Sequence, residues 1–274
     1  QNQGLVGKSI DTREKYGKFS NWQYGARLGG AIIKDKLFYF INYEGLSRSQ
    51  PVANQPGSGS SNLGSDEIAA AQDLSDYLKS KYNYDAGAIT GLNQTRKSNS
   101  VFARIEWNIN DKNKLMIRHN YVNGNNYSIS DASNSMSFGN NGYTFRSKTN
   151  STVLELNSSF NSGLSNMLRL TYTSVNDKRD VGSPFPSVSI SDNGATFKFG
   201  NDYSSQANSL DQHIATLTDN LNIYQGSHTI TIGTDNEFYT TKNIFLQGLF
   251  GDYTYKSLND FYNNTNLNQY QTTY

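Results

Sequence analysis

Side chains able to do covalent or metal chemistry are scarce in this chain, and their spacing does not bring them together. His119, His213 and His228 stand on separate extended segments with no ligand spacing, so they are not expected to hold a metal. Asp66, Glu67, Asp73 and Asp76 crowd one short stretch and read as the solvated side of a helix. Asp202, Asp211 and Asp219 lack the paired carboxylate that general acid–base work needs. Serines are plentiful, yet no Gly-x-Ser-x-Gly elbow occurs. Gly29-Gly30 lies inside an extended run, and Gly57-Ser58-Gly59 opens no helix directly, so neither is a phosphate cradle. Cysteine is absent, which removes disulfides, zinc-thiolate centres and a thiol nucleophile together. A net charge of +1 gives no electrostatic case for nucleic acid. The expectation is a protein that is not an enzyme and carries neither cofactor nor metal.

Two other sets of residues are candidates for function. Arg104, Glu106, Arg118, Glu155 and Arg169 each fall in the polar phase of an alternating run. Tyr82, Tyr84, Tyr127, Tyr143, Tyr203, Tyr253 and Tyr255 lie in or beside Asn- and Ser-rich connections. Tyrosine offers rigid contact area with a polar tip, which suits capture of peptide or glycan. Ordinary wet loops and an aromatic girdle would account for the same tyrosines without a ligand. Tyr39, Tyr43 and Tyr121, within alternating runs, read as girdle.

These residues are positioned by four hairpins. In the first, Leu37, Tyr39, Ile41 and Tyr43 take one face and Phe38, Phe40, Asn42 and Glu44 the other, after a turn at Lys34-Asp35-Lys36. Val101, Ala103, Ile105, Trp107 and Ile109 alternate with Phe102, Arg104, Glu106 and Asn108 in the second, which turns at Asn110–Asn113 and returns through Leu115, Ile117, His119 and Tyr121. The third carries Thr152, Leu154, Leu156 and Phe160, turns at Ser162–Ser165 and returns through Leu168, Leu170 and Tyr172. The fourth runs from His213 to Ile223, turns at Gln225-Gly226-Ser227 and returns through Ile230 and Ile232. Between hairpins lie long connections. The first holds a helix over Ser65–Tyr82, with Ser65 as N-cap and an apolar stripe of Ile68, Ala71, Leu74 and Leu78. A short helix is expected near Leu258–Tyr262.

Composition fits a membrane wall better than a soluble enzyme. Of 274 residues only 17% are charged, while 13% are aromatic and 19 are Tyr. Mean hydropathy is -0.68. No apolar run approaches the ~18 residues of a spanning helix, but strand-crossing barrels alternate apolar and polar residues and escape that measure. Every short connection falls on one end of the sheet and every long one on the other. A soluble sandwich has no reason for such segregation, whereas an outer-membrane barrel joins strands by short periplasmic turns and long extracellular loops. Strands in hydrocarbon must pair on both sides, so the sheet closes. A charge on its lipid face would cost roughly 2–4 kcal/mol, and the five candidate charges all take the opposite phase. The fold expected is all-β: residues 1–274 as one partial antiparallel transmembrane barrel of about eight strands, its long extracellular loops carrying a short helix. Both Gln1–Asn21 and Tyr274 are expected on the extracellular side, as in the middle of a larger barrel. A small barrel with both termini outside is the alternative.

The run Tyr24-Gly25-Ala26-Arg27-Leu28-Gly29-Gly30-Ala31-Ile32-Ile33-Lys34-Asp35-Lys36-Leu37-Phe38-Tyr39-Phe40, followed by Asn42-Tyr43-Glu44-Gly45, resembles the early-barrel signature of TonB-dependent outer-membrane receptors, and within them the Oar-like group. Ala31 stands where that group usually has Pro. Ser227–Gly233 resembles the family's Gly-x-His strand start, and Phe250–Tyr255 with Leu258–Phe261 a later extracellular segment. The resemblance implies a barrel of about 22 strands occluded by an N-terminal plug and energised by the inner-membrane TonB complex. It also implies import of a substrate too large or scarce for passive pores, such as a nutrient, peptide or glycan, with a surface lipoprotein as a further partner. The plug, the TonB box and later strands are not in this sequence, so no plug residue is carried over. Beside import stand two other readings: a barrel serving as anchor for adhesion or envelope assembly, and a soluble all-β binding module.

Overall fold

A computed structural model of the chain describes residues 7–8, 17–58, 60–129 and 131–271. Most of the Gln1–Asn21 run, together with Gly59 and Tyr274, lies outside the described residues. Elements are numbered along the chain. The long strands are β1 (Ser20–Ile33), β2 (Leu37–Pro51), β3 (Asn93–Asn110), β4 (Asn113–Ser128), β6 (Tyr143–Asn161), β7 (Leu164–Asp180), β10 (Ala207–Gln225) and β11 (His228–Leu246). Among the described residues they form one eight-stranded meander in the order β1-β2-β3-β4-β6-β7-β10-β11, antiparallel throughout, with β1 and β11 at its open edges.

The tight turns share one rim. Each is closed by residues suited to it: Asp35 adopts φ 60, and Asn110 Oδ1 accepts from the Lys112 and Asn113 amides at 3.0 and 2.9 Å. Asn161 Oδ1 accepts from the Gly163 amide at 2.8 Å. Three turns are also tied to the next hairpin, because Lys36, Lys112 and Gly163 carbonyls accept from Asn108, Ser159 and Tyr224 amides at 2.8, 2.7 and 2.9 Å. That rim is therefore a continuous hydrogen-bonded edge. The turns are shorter than the sequence suggests, since β7 already begins at Leu164 and β4 at Asn113.

The strands run 14 to 19 residues, more than the ~9–11 that a tilted strand needs to cross hydrocarbon. The extra length is polar and lies at the other rim. Asn123–Ser128 of β4 and Tyr143–Lys148 of β6, which fall in what reads from sequence as one Asn/Ser/Gly-rich loop from Asn123 to about Ser147, pair with each other. Their pattern gave no apolar alternation to read, yet pairing satisfies their backbone groups equally well.

At that second rim the long connections fold together into a cap. It contains α1 (Ser65–Tyr82), β5 (Ser135–Ser137), a 3-10 turn at Gly139–Asn141, β8 (Ser187–Asp192), β9 (Ala195–Phe199), β12 (Asp252–Tyr255), α2 (Leu258–Asn263) and β13 (Leu267–Gln271). The strands make a second sheet, β13-β12-β8-β9-β5, in which β12 runs parallel to β8 and β5 parallel to β9. Ala71, Leu74 and Leu78 of α1 are buried with Met136, Phe138, Val188, Ile190, Phe197, Phe199, Tyr255 and Phe261 in a shared core. Helix α1 has the expected bounds, but its N-cap is Gly64 rather than Ser65. The Gly64 amide donates to Glu67 Oε2 at 2.7 Å, while the Ser65 hydroxyl turns to Asp66. Asn193 and Gly194 take φ 48 and 85 and close the β8–β9 hairpin. At Gly200, with φ 79, a Cβ would lie 1.7 Å from the Pro186 carbonyl oxygen, so only glycine fits there.

Candidate functional site

Alternation along each long strand and the register between strands sort the eight-stranded wall into two faces. One face is polar. A row of directly opposed residues runs Phe40, Arg104, Arg118, Val153, Thr171, Thr216, Glu237. The adjacent row nearer the tight turns runs Phe38, Glu106, Met116, Glu155, Arg169, Thr218, Asp235. All five charges singled out in the sequence therefore fall in two neighbouring rows on the same face.

Four of the five are paired there. Arg104 bonds Glu106 along its own strand. Arg169 places Nε and Nη2 at 2.8 and 2.7 Å from Glu155 Oε2, and Asn157 donates to Glu155 Oε1 at 2.8 Å. Arg118 sits opposite Arg104 and diagonal to Glu155, which sets a carboxylate near two cations. Sequence reading missed Asp235, whose Oδ2 accepts from Thr218 Oγ1 at 2.9 Å, and Glu237 at the end of the other row. The signal was present: Asp235 and Glu237 alternate out of phase with Ile230 and Ile232.

The other face is apolar along an oblique belt. Ile105, Ile117, Leu154, Leu170 and Leu217 occupy a single row. On β1 the apolar zone reaches up to Trp22, in the row where β3, β6 and β7 carry Lys97, Arg146 and Lys178. On β10 it starts lower, at Ile223, and ends at Ala215. A belt oblique to the hydrogen-bond rows is level only if the strands are tilted, as they are in barrel walls. Tyr24 and Tyr43, with rings 6.2 Å apart, and Tyr121 mark its upper border, and Tyr43 donates to Asn99 Oδ1 at 2.8 Å. Histidines on this face have local partners: His119 Nδ1 lies 2.8 Å from Thr152 Oγ1, and His213 Nδ1 2.9 Å from the Tyr172 hydroxyl. Asp219 shares the belt with Leu217 and Leu221, where Asn166 donates to its carboxylate at 2.7 Å. Among the described residues no three His, Asp or Glu side chains converge as a metal site would need.

The seven loop tyrosines have diverse fates. Tyr84 and Tyr255 are buried in the cap core, each 5% exposed, so neither ring can meet a ligand while the cap is folded. Tyr84 stacks on Phe185 at 3.9 Å, and Tyr255 meets Phe261 edge-on at 5.3 Å. Burial raises the pKa of both phenols, that of Tyr84 to about 12. Tyr127 donates to the Gly139 carbonyl at 2.6 Å, and Tyr143 lies under the Arg179 guanidinium at 4.9 Å. Tyr203 packs where a Cβ on Gly248 would touch it. Tyr82 stays exposed on the cap, and Tyr253, half-buried against its core, lies 4.8 Å from the exposed Tyr270 ring. The aromatic richness of the loops is thus largely core material for the cap, which sequence could not reveal because its pieces are separated by whole hairpins.

The profile of the family described as "Outer membrane beta barrel domain" matches residues 7–62 and 68–273. No curated protein matches the chain. Among solved structures, the outer membrane transporter YddB from Escherichia coli superposes with a TM-score of 0.57 at 9% identity, over 98% of this chain and 30% of that one. The CymD monoaromatic hydrocarbon channel aligns at 9% identity over 82% of this chain and 74% of that one, with a TM-score of 0.25 that supports no structural conclusion. The likeness to YddB concerns the fold, and this chain spans less than a third of that protein's length. With its two-faced meander and four tight turns on one rim, the chain belongs to the outer membrane beta barrel domain family.

Proposed function

We propose that the chain supplies eight adjacent wall strands, and part of the outer surface, of a TonB-dependent importer of the Oar-like group. In this reading the complete wall has about 22 strands around a plug, and the TonB complex drives passage of a large or scarce nutrient, peptide or glycan. The apolar belt faces lipid, the tight turns face the periplasm, and the cap lies outside. The charges Arg104, Glu106, Arg118, Glu155 and Arg169 line the lumen, joined by Asp235 and Glu237. The observation that carries this reading is the division of the wall: two rows holding the charges on one face and an oblique, mainly aliphatic belt on the other. Backbone that lies in hydrocarbon must be paired, and side chains facing it must be apolar; the chain meets both conditions only on that face.

A complete reading frame with an upstream plug and TonB box, and substrate uptake that stops when the TonB complex is deleted, is the expected result. Uptake that persists without the complex would reject energised import. A second reading, a barrel anchoring an adhesive or assembly surface with or without a surface lipoprotein, is favoured by the cap, since a loop region with its own core presents a fixed surface. A reading frame lacking a plug selects it.

A further inference from the structure

Above the apolar belt, on the same outward face, stands a group of cations that the transport reading does not use. Arg146 and Lys178 are directly opposed on β6 and β7, and Lys148 lies two residues along from Arg146. All three are exposed, and Lys97 flanks them in the same row across Asn125. Lys148 leans toward the belt, its ammonium 5.9 Å from the Tyr121 ring centroid. Asp180 bridges two of the cations, bonding Arg146 and, at 2.6 Å, Lys178 Nζ. Asp211, one row nearer the belt, is engaged by Asn176. Between belt and cations come Asn150 and Ser174, polar and uncharged.

We infer that Arg146, Lys148 and Lys178 form a docking site for the phosphates of a glycolipid headgroup in the outer leaflet. The inference rests on the lipid-facing reading of the belt. Headgroup phosphates sit just beyond the hydrocarbon border, at the level to which long basic side chains reach from above. Arg146 and Lys178 share the Asp180 carboxylate and Lys148 stands one row nearer the belt, so the patch keeps a positive excess complementary to a phosphate. Arginine supplies a planar fork for phosphate oxygens and the lysines supply point charges. The Tyr121 ring under Lys148 holds one cation at the boundary while the acyl chains would lie along Leu154 and Leu170 below.

The test uses the complete protein carrying this chain, in wild-type form, as the triple variant Arg146→Gln, Lys148→Gln, Lys178→Gln, and as Asp180→Asn. Each is inserted into phosphatidylcholine vesicles holding a small fraction of diphosphoryl lipid A or its dephosphorylated form, then extracted mildly and weighed with bound lipid by native mass spectrometry. Wild type should retain the phosphorylated lipid, and the triple variant should retain it on the order of a hundredfold more weakly, a few-fold per lost charge. Asp180→Asn, which frees two cations, should bind it several-fold more tightly. Equal retention by wild type and triple variant, or equal retention of the dephosphorylated lipid, overturns the site while leaving the wall reading intact. Failure of the wild-type protein to enter vesicles overturns both.

Discussion

Wall and cap treat the same residue types in opposite ways. In the wall, Trp22, Leu28 and Phe238 are 67, 64 and 67% exposed, and Ile105 is 45% exposed. In the cap, Leu74, Phe138 and Phe199 are completely buried. A water-soluble protein does not leave a continuous aliphatic belt open on one face while packing a full core elsewhere in the same chain. The cap solves the hydrophobic problem with protein and the wall leaves it to be solved by its surroundings. The wall is held by backbone pairing between neighbours in sequence, whereas the cap is held by side-chain packing between segments that whole hairpins separate. Perturbations should separate the two accordingly.

The largest effect is expected from Phe199→Ala. It removes a ring buried between Phe138, Phe185 and Phe261 and should cost the cap about 3–5 kcal/mol, leaving the wall strands paired. Limited proteolysis of the inserted protein should then cut within the cap while the wall keeps its heat-resistant gel mobility. Loss of both together would mean that cap and wall are one cooperative unit.

Next comes a contrast within the wall. Ile105→Arg places a charge in the belt, at about 2–4 kcal/mol, and should impair membrane insertion. Phe102→Arg, on the polar face, loses an edge contact with Phe40 at 6.1 Å, worth about 1 kcal/mol, and should insert nearly normally. Equal tolerance of the two in a vesicle-insertion assay contradicts the assignment of faces.

A smaller effect is expected at the tight β8–β9 hairpin of the cap. Gly194→Val forces a β-branched residue to φ 85 in open space, so the cost is conformational alone, about 1–2 kcal/mol. Hydrogen exchange of Ser187–Asp192 and Ala195–Phe199 should quicken while exchange in β6 and β7 stays unchanged.

How much of this could be read from sequence follows from the same contrast. Wall strands were legible because each is a local period-two pattern closed by a local turn; Val101–Trp107 and Leu115–Tyr121 announce their faces without reference to anything distant. Helix α1 was legible for the same reason, its stripe recurring at helical spacing. The charged rows followed from phase, and only Asp235 and Glu237 escaped, on a strand where Gly233, Thr234 and Asn236 interrupt the apolar alternation. The cap was not legible as a unit. Parallel pairing of β12 with β8 and of β5 with β9 joins segments that no local pattern links. One piece did carry a signal: Asn193-Gly194 between the alternating runs Val188, Ile190 and Phe197, Phe199 is a hairpin signature. Tyr84 and Tyr255 looked like ligand contacts because a buried tyrosine and a displayed one have the same local sequence.

Tyr84 also supplies the subtlest way to separate the regions. Burial, and after it the neighbouring Asp85 carboxylate, push its phenol up to about 12 from an ordinary value near 10. A raised folded-state value means that the neutral phenol is favoured in the closed cap. Its contribution to stability is then complete below pH 10 and lost as pH climbs toward 12, because the opened cap releases the proton first. Tyr82, Tyr255 and Tyr262 are shifted the same way, so the cap as a whole should loosen over that interval. Tyr84→Phe keeps the stacking on Phe185 and deletes one ionisation, and should therefore hold the cap closed to higher pH than wild type. Protease susceptibility of the cap, measured between pH 9 and 12, gives the comparison. Coincident curves for the two proteins would mean that the cap opens around Tyr84 without ionising it, and that another group sets its alkaline limit.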